Sequence, residues 1–180
     1  HGGDGAIVGV WEQCSYYDAL EAMDSYLDTN GSSLDQAFVD FTVRLALNDF
    51  EEGETYEDVW VMENHASYPV STGKQQYRPG SYGSNYLHFL PLETPDTFYL
   101  RFDGREEENG QSINGGLALI SVSEESASYQ VLQADAQGVA EAMVKDFGGS
   151  VDEVILAISV LGPSGHLPGQ GGVGYAYAAN

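Results

Sequence analysis

The chain has 180 residues, of which 28 are Asp or Glu and 6 are Lys or Arg, giving a formal net charge of −22. A surface this acidic repels phosphate groups, which argues against nucleic acids and anionic membranes as partners. Hydrophobic residues make up 42% of the chain, enough for a folded core. No apolar run approaches the ~20 residues that a membrane-spanning helix needs.

The first 50 residues have the apolar spacing of helices. Ile7, Trp11 and Cys14 recur at helical intervals, and we expect the lone Cys14 to be a buried structural thiol in this stripe. A second stripe ends at a glycine C-cap and consists of Leu20, Met23 and Leu27, followed by Asn30-Gly31.

A third helix is predicted to begin at Ser33, which forms a capping box with Gln36. Its apolar face is expected to consist of Leu34, Phe38, Phe41 and Leu45. Gly53 is predicted to end this helical segment, so that residues 1–53 form one unit.

After Gly53 the helical period gives way to short β-prone runs separated by Gly, Pro, Asn and Asp. The predicted strands are 55–62, 85–92, 97–102, 116–123, 128–133, 136–144, 153–161 and 174–178. The segment 154–161 is nearly all apolar and is expected to be a central strand. The predicted fold is mainly β with an N-terminal helical segment, in which residues 54–180 form an antiparallel sandwich or jelly roll of about seven to nine strands.

Three segments are predicted to be loops: 71–84, 103–114 and the glycine-rich 162–172. The second contains carboxylate and amide oxygens, the ligands that Ca²⁺ prefers, so calcium is the one cofactor that the sequence suggests. The candidate ligands are Asp103, Glu106, Glu107, Glu108 and Asn109. The alternative is a solvated hairpin tip. The four histidines, His1, His65, His88 and His166, show no zinc-ligand spacing, and no catalytic residue is assigned.

Tyrosines are the other candidates for binding, since the chain contains 12 of them. Exposed tyrosines at the rim of a sandwich stack on sugar rings or form protein interfaces. The candidate binding residues are Tyr68, Tyr77, Tyr82, Tyr86, Tyr175 and Tyr177. Packing in the core is the alternative for each.

Two segments together resemble a junction in large secreted bacterial metalloproteases of the zincin type from myxobacteria. They are His65-Ala66-Ser67-Tyr68-Pro69-Val70 and Gly83-Ser84-Asn85-Tyr86-Leu87-His88-Phe89. In that family such a junction links a helical catalytic region to a β-sandwich, and segments 1–12 and 33–41 look like the last helices of that region. The resemblance implies a secreted, extracellular protein whose zinc-binding helix would precede His1, so no metal ligand is carried over.

Three functions are therefore weighed. The first is a non-catalytic C-terminal accessory or binding region of a secreted metalloprotease-like protein, whose parent would be a zinc metallopeptidase while this chain alone would not be an enzyme. The second is an extracellular structural subunit that assembles, for example into filaments, by exchanging the tethered strand 174–178 with Tyr175 and Tyr177 as its side chains. The third is a carbohydrate- or calcium-binding sandwich module. The expected partners are another protein, a second copy or an extracellular polysaccharide.

Overall fold

The computed structural model describes residues 3–50, 61–73, 79–80, 82–94, 96–104, 115–124, 126–161 and 174–180. Within these ranges three helices precede nine strands, which confirms the predicted mainly-β fold with an N-terminal helical segment. The helices are α1 (Gly3–Gln13), α2 (Ala19–Thr29) and α3 (Leu34–Ala46). The strands are β1 (Glu63–His65), β2 (Val70–Ser71), β3 (Ser84–Phe89), β4 (Asp96–Asp103), β5 (Gly115–Ser123), β6 (Ser126–Leu132), β7 (Val139–Phe147), β8 (Glu153–Val160) and β9 (Ala176–Ala179).

The helix boundaries follow from side-chain and glycine caps. The Asp18 carboxylate accepts hydrogen bonds from the first amides of α2, and Ser33 Oγ accepts one from Gln36 at the start of α3. After α2, Gly31 adopts a φ of 78°, and the amide of Ser32 donates to Leu27 O at 2.9 Å. This is the glycine-terminated hydrogen-bond pattern that the Asn30-Gly31 pair predicts.

The strands form two sheets with the core between them. The first has the order β1-β3-β8-β5-β6 and the second β2-β9-β4-β7. All pairs are antiparallel except β1 with β3. The largest core side chains include Phe89, Phe98, Phe102, Leu156 and Tyr175. Strand β8 is the middle strand of the first sheet and is buried from Val154 to Val160, as its apolar run predicts.

Helix α3 covers the outer face of the first sheet, where it lies across β5 and β8. Val39 and Val43 pack there against Ile120 and Ile155, forming a second apolar cluster. The helix approaches closely because β5 has glycine at position 116, where an added Cβ would overlap the Val39 methyl Cγ2. Small and β-branched side chains therefore form much of the contact between the helix and the sheet, together with the buried ring of Tyr86.

The predicted buried face of α3 is wrong in detail. The buried residues are Leu34, Val39, Thr42 and Val43, whereas Phe41 is 45% exposed. Phe41 and Phe38 instead lie along the flank of the helix. There the ring of Phe38 packs edge-on against the ring of Tyr82, with their centroids 5.4 Å apart. Because large aromatic rings would hold α3 away from Gly116, the helix turns its smaller residues toward the sheet.

The prediction that Cys14 is a buried thiol is also wrong, since this residue is exposed. It lies just past the end of α1, which packs mainly against α2. The spacing of Ile7 and Trp11 does belong to a helix, but none of the described residues covers the resulting apolar face, and Trp11 is 73% exposed.

Strands β3 to β9 fall within a few residues of their predicted positions. The two short strands β1 and β2 were not predicted, because the sequence Glu63-Asn64-His65 lacks apolar alternation. The boundary at Gly53 and most of the predicted strand 55–62 lie outside the described residues, as do most of the loops 103–114 and 162–172.

A substitution at Gly116 tests the contact between α3 and the first sheet. We expect Gly116→Ala to lower the free energy of unfolding by about 1–3 kcal/mol, because its Cβ must displace Val39 in a packed interface. Urea denaturation followed by circular dichroism measures this change. Gly73→Ala is the matched control, since no atom lies within 4 Å of the Cβ added at that exposed position. Equal stability of the two variants would contradict the close approach.

Candidate functional site

An apolar groove lies between α1 and α2, and we call it the helix-pair groove. It has a volume of about 540 Å³ and is lined by Ala6, Ile7, Val10, Trp11, Met23, Tyr26, Leu27, Asn30 and Ser32. Several of its side chains are open to solvent, including Ile7 at 61% and Trp11 at 73% exposure. An apolar concavity with an exposed Trp has the composition of the centre of a protein interface.

Helices α1 and α2 do not bury enough apolar side chains between them to form a core of their own. Each has 11 residues, and α2 buries only Ala22, while α1 has no buried residue among those whose side chains are described. Isolated helices of this length are marginal in water and depend on tertiary packing. Close contact does fix their spacing, because a Cβ added at Gly9 would overlap the Tyr26 ring. The pair is thus an ordered element that leaves most of its apolar surface exposed.

The charge around the helix-pair groove has one sign. Helices α1 and α2 contain five Asp or Glu residues and no Lys or Arg. Asp24 and Asp18 are partly engaged, because their carboxylates accept backbone amides of Leu34 and of the first turn of α2. A partner that fits this surface would present apolar side chains flanked by basic ones.

A second, shallower concavity lies on the outer face of the second sheet, and we call it the sheet groove. Its volume is about 420 Å³, and Ala178 and Ser71 form a floor of small side chains. Along one side, Tyr99 is 53% exposed and Arg101 Nη1 lies 2.9 Å from Glu141 Oε1. An aromatic face beside planar charged groups is the combination that binds sugar rings.

The tyrosines chosen from the sequence do not form one surface. Tyr68 and Tyr82 are half-buried, whereas Tyr86, Tyr175 and Tyr177 are buried in the core. Tyr77 lies outside the described residues. Their hydroxyls have partners inside the fold, since Tyr68 donates to Leu90 O at 2.9 Å and Tyr86 donates to Thr42 O at 3.2 Å. Tyr99, which the sequence reasoning missed, is the exposed tyrosine of the sheet groove.

Tyr177 is the centre of a polar cluster that joins the two sheets. Its hydroxyl donates to Glu63 Oε2 at 2.7 Å, and His65 Nε2 lies 2.7 Å from the Tyr177 hydroxyl oxygen. Because the phenol proton is directed at the carboxylate, His65 Nε2 must carry a hydrogen and donate to the phenol oxygen. The pKa of Tyr177 is raised well above its ordinary value. Burial is the largest cause, and the hydrogen bond to Glu63 is the next largest. The cluster therefore keeps a neutral phenol and ties β9 to the edge strand β1.

Strand β9, proposed from the sequence as an exchangeable strand, lies in its own second sheet between β2 and β4. Tyr175 stacks on Phe102 with ring centroids 5.7 Å apart, and Asn85 Nδ2 donates to the Tyr175 hydroxyl at 3.0 Å. In this arrangement Tyr177 of β9 and Tyr175, which directly precedes the strand, fill the core of the same chain.

Of the proposed calcium ligands, only Asp103 is described, at the half-buried end of β4. Glu106, Glu107, Glu108 and Asn109 lie outside the described residues, as do His1 and His166. His88 is on β3, with Nε2 2.9 Å from Glu153 Oε2. Within the described part of the chain, no three His, Cys, Asp or Glu side chains are grouped as a metal site would require. No helix there has the length and hydropathy to cross a membrane.

The buried tyrosines predict how stability depends on pH. Burial raises the pKa of Tyr68 and Tyr86 to about 12 from the ordinary value of 10.0. The folded state therefore retains protons that the unfolded chain loses above pH 10.0. We expect the free energy of unfolding contributed by these groups to be intact below about pH 10 and to fall as the pH rises toward about 12.

Urea unfolding at a series of alkaline pH values, with ultraviolet titration of the phenols, measures this slope. Tyr86→Phe should make the slope shallower while lowering stability at neutral pH by about 0.5–1.5 kcal/mol, through loss of the bond to Thr42. Tyr16→Phe is the control, because Tyr16 is 83% exposed. A Tyr86→Phe slope equal to that of the unmodified chain would contradict the burial of this phenol.

The comparisons with known proteins return no match, either to a protein-family model or to a curated protein. Of the residues that suggested the zincin-type resemblance, Tyr68 lies between β1 and β2, and Tyr86 lies in β3. Two concave surfaces are the candidates for function: the apolar, acidic-rimmed helix-pair groove and the mixed aromatic and polar sheet groove.

Proposed function

We propose that this chain is the non-catalytic accessory region of a secreted metalloprotease-like protein, and that it binds the remaining, upstream part of the helical catalytic region through the helix-pair groove. The observation that carries the proposal is the exposed apolar face of α1 and α2 along the groove, on which Ile7, Trp11 and Met23 are 61%, 73% and 39% exposed. The resemblance of segments 1–12 and 33–41 to the last helices of such a region supports the choice of partner.

The energetics favour a protein partner for this face. Burial of a large apolar side chain contributes about 1.5–3 kcal/mol, so three such residues can supply much of the affinity of a micromolar complex. The helices themselves would gain the tertiary packing that their 11-residue length requires. The carboxylates on α1 and α2 would select basic residues at the rim of the partner and steer its approach.

The accompanying sandwich suits a supporting role. Helix α3 anchors the helix pair to the first sheet through Val39 and Val43, and α2 packs on α3. The helix-pair groove is thereby held on a rigid β scaffold rather than on a loop. In this proposal the sandwich positions the groove, and the partner supplies the chemistry.

Binding to a purified zincin-type catalytic region, measured by isothermal titration calorimetry, tests this function. Trp11→Asp should weaken binding by about thirtyfold or more, because an exposed Trp at an apolar centre typically contributes at least about 2 kcal/mol. Leu92→Asp is the matched control: Leu92 is 51% exposed, lies outside both grooves, and undergoes the same change of charge. Absence of binding, or equal loss in both variants, would overturn the proposal.

A second candidate function is carbohydrate binding at the sheet groove, favoured by Tyr99 beside the Arg101–Glu141 pair. The backbone of Asn180 fixes one end of this groove, since its amide donates to Tyr99 O at 3.0 Å and its carbonyl accepts from Tyr99 N at 2.8 Å. A chain with a net charge of −22 would favour neutral or basic sugars over uronic acids.

Affinity electrophoresis through gels that contain neutral polysaccharides tests this second function. We expect migration of the chain to be retarded, and Tyr99→Ala to lose the retardation because the stacking face is removed. Tyr16→Ala, at a residue 83% exposed on the helical segment, should behave like the unmodified chain. Equal migration of the chain with and without each polysaccharide would exclude sugar binding of this class.

A further inference from the structure

Among the described strands, the two sheets have four edge strands, and these differ in how they are protected from pairing with another chain. Exposed sheet edges bind other strands unless they are short, charged or bulged. Strands β1 and β2 have only 3 and 2 residues. Strand β7 has 9 residues but carries Glu141, Lys145 and Asp146, and its pairing with β4 shifts register near Phe98.

Strand β6 has none of these protections. It has 7 residues, Ser126–Leu132, with the sequence SASYQVL, which contains no charged residue or proline. Among the described strands it pairs only with β5, through a regular register from Leu117↔Leu132 to Ser123↔Ser126. Every residue from Ser126 to Val131 is exposed, so both faces of this edge are open. About half of its backbone amide and carbonyl groups point away from β5, as they do in any antiparallel edge strand.

We infer that β6 is a dimerisation edge, at which two copies of this chain pair antiparallel about a two-fold axis near Tyr129. An edge of this kind would join the two five-stranded first sheets into one continuous sheet across the dimer. The geometry that points to this pairing is the combination of an open backbone edge with two self-complementary faces.

The first of these faces is apolar. Ala127, Tyr129 and Val131 lie opposite Val122, Ile120 and Ala118 of β5, on the side of the sheet that α3 covers. Tyr129 and Val131 are 48% and 46% exposed. An antiparallel pair centred on Tyr129 would place Ala127 opposite Val131 of the second copy and the two Tyr129 rings together, which is a favourable cross-strand arrangement.

The second face is polar but uncharged. Ser126, Ser128 and Gln130 alternate with the apolar residues, so Ser128 would lie opposite Gln130 of the second copy. The Tyr129 hydroxyl donates to Asp40 Oδ1 at 3.1 Å, so the carboxylate of α3 beside this edge already has a hydrogen-bond partner. No like charges are therefore placed directly opposite within the paired strands, even though the chain as a whole has a charge of −22.

The overall charge sets the conditions under which pairing occurs. Glu124 precedes β6 and Asp135 follows it, so the two-fold arrangement brings the acidic ends of the two strands near each other. Salt screens this repulsion, since the Debye length falls from about 30 Å at ~0.01 M to about 3 Å at ~1 M ionic strength. Dimerisation should therefore strengthen with salt, the opposite of the salt dependence expected for a basic partner.

Sedimentation equilibrium of the full 180-residue chain at ~0.01 M and ~1 M NaCl tests the inference. We expect a monomer–dimer equilibrium that shifts toward dimer at high salt. Val131→Lys should weaken it by about tenfold or more, because two lysines would be buried at the paired edge. Met143→Lys on β7 is the matched control: Met143 is 47% exposed, and the variant has the same net charge of −22 + 1 = −21.

Amide hydrogen exchange identifies the edge directly. At concentrations where the dimer forms, the amides within Ser126–Leu132 that point away from β5 should become protected, and in Val131→Lys they should not. A monomer under all conditions, species larger than a dimer, or equal effects of the two lysine variants would overturn the inference. Loss of the dimer in Trp11→Asp with Val131→Lys unaffected would also overturn it, because the helix-pair groove would then be the interface.

Discussion

Burial of Tyr175 and Tyr177 between the two sheets imposes a constraint on the rest of the sandwich, because each phenol hydroxyl must find a partner inside the fold. The partners are Asn85 for Tyr175, and Glu63 with His65 for Tyr177. They come from β3 and from the edge strand β1 of the opposite sheet. The short polar strand β1 is thus held both by β3 and by these side-chain contacts across the core, and the aromatic packing of Phe89 and Phe98 completes the same region.

The residues that stabilise the fold are separate from the surfaces proposed to bind partners. The core between the sheets and the α3 contact at Gly116 bury most of the large apolar residues. In contrast, α1 and α2 bury little and expose much, although Gly9 and Tyr26 keep them closely packed. The proposed binding surfaces lie outside these packed regions: one on the helix pair, one on the outer face of the second sheet, and one along β6.

Sequence patterns predicted those parts of the fold whose own residues determine their structure. The alternation of Phe98, Leu100 and Phe102 located β4, and the apolar run of β8 identified a central strand. Strand β1 could not be predicted, because its residues Glu63-Asn64-His65 are ordered by a partner 112 residues further along the chain. For α1 the spacing of Ile7 and Trp11 correctly gave a helix with an apolar face. Periodicity does not state whether such a face is covered, and here it is exposed. The same alternation places Tyr99 on the outer face of β4, but it was not chosen as a binding residue because the pattern of one strand does not show which residues of β7 and β9 form a groove beside it.

The position of β9 has a consequence for how the chain acquires its fold during synthesis. Val70 of β2 pairs with Ala179 of β9, and β9 also separates β2 from β4 in the second sheet. The first sheet can form once β8 has been made, whereas the second can be completed only after residues 176–179 leave the ribosome. Until then, the aromatic side chains of β4 lack Tyr175 and Tyr177 as core partners. Such late, non-local closure slows folding and leaves apolar surface open to chaperones during the interval.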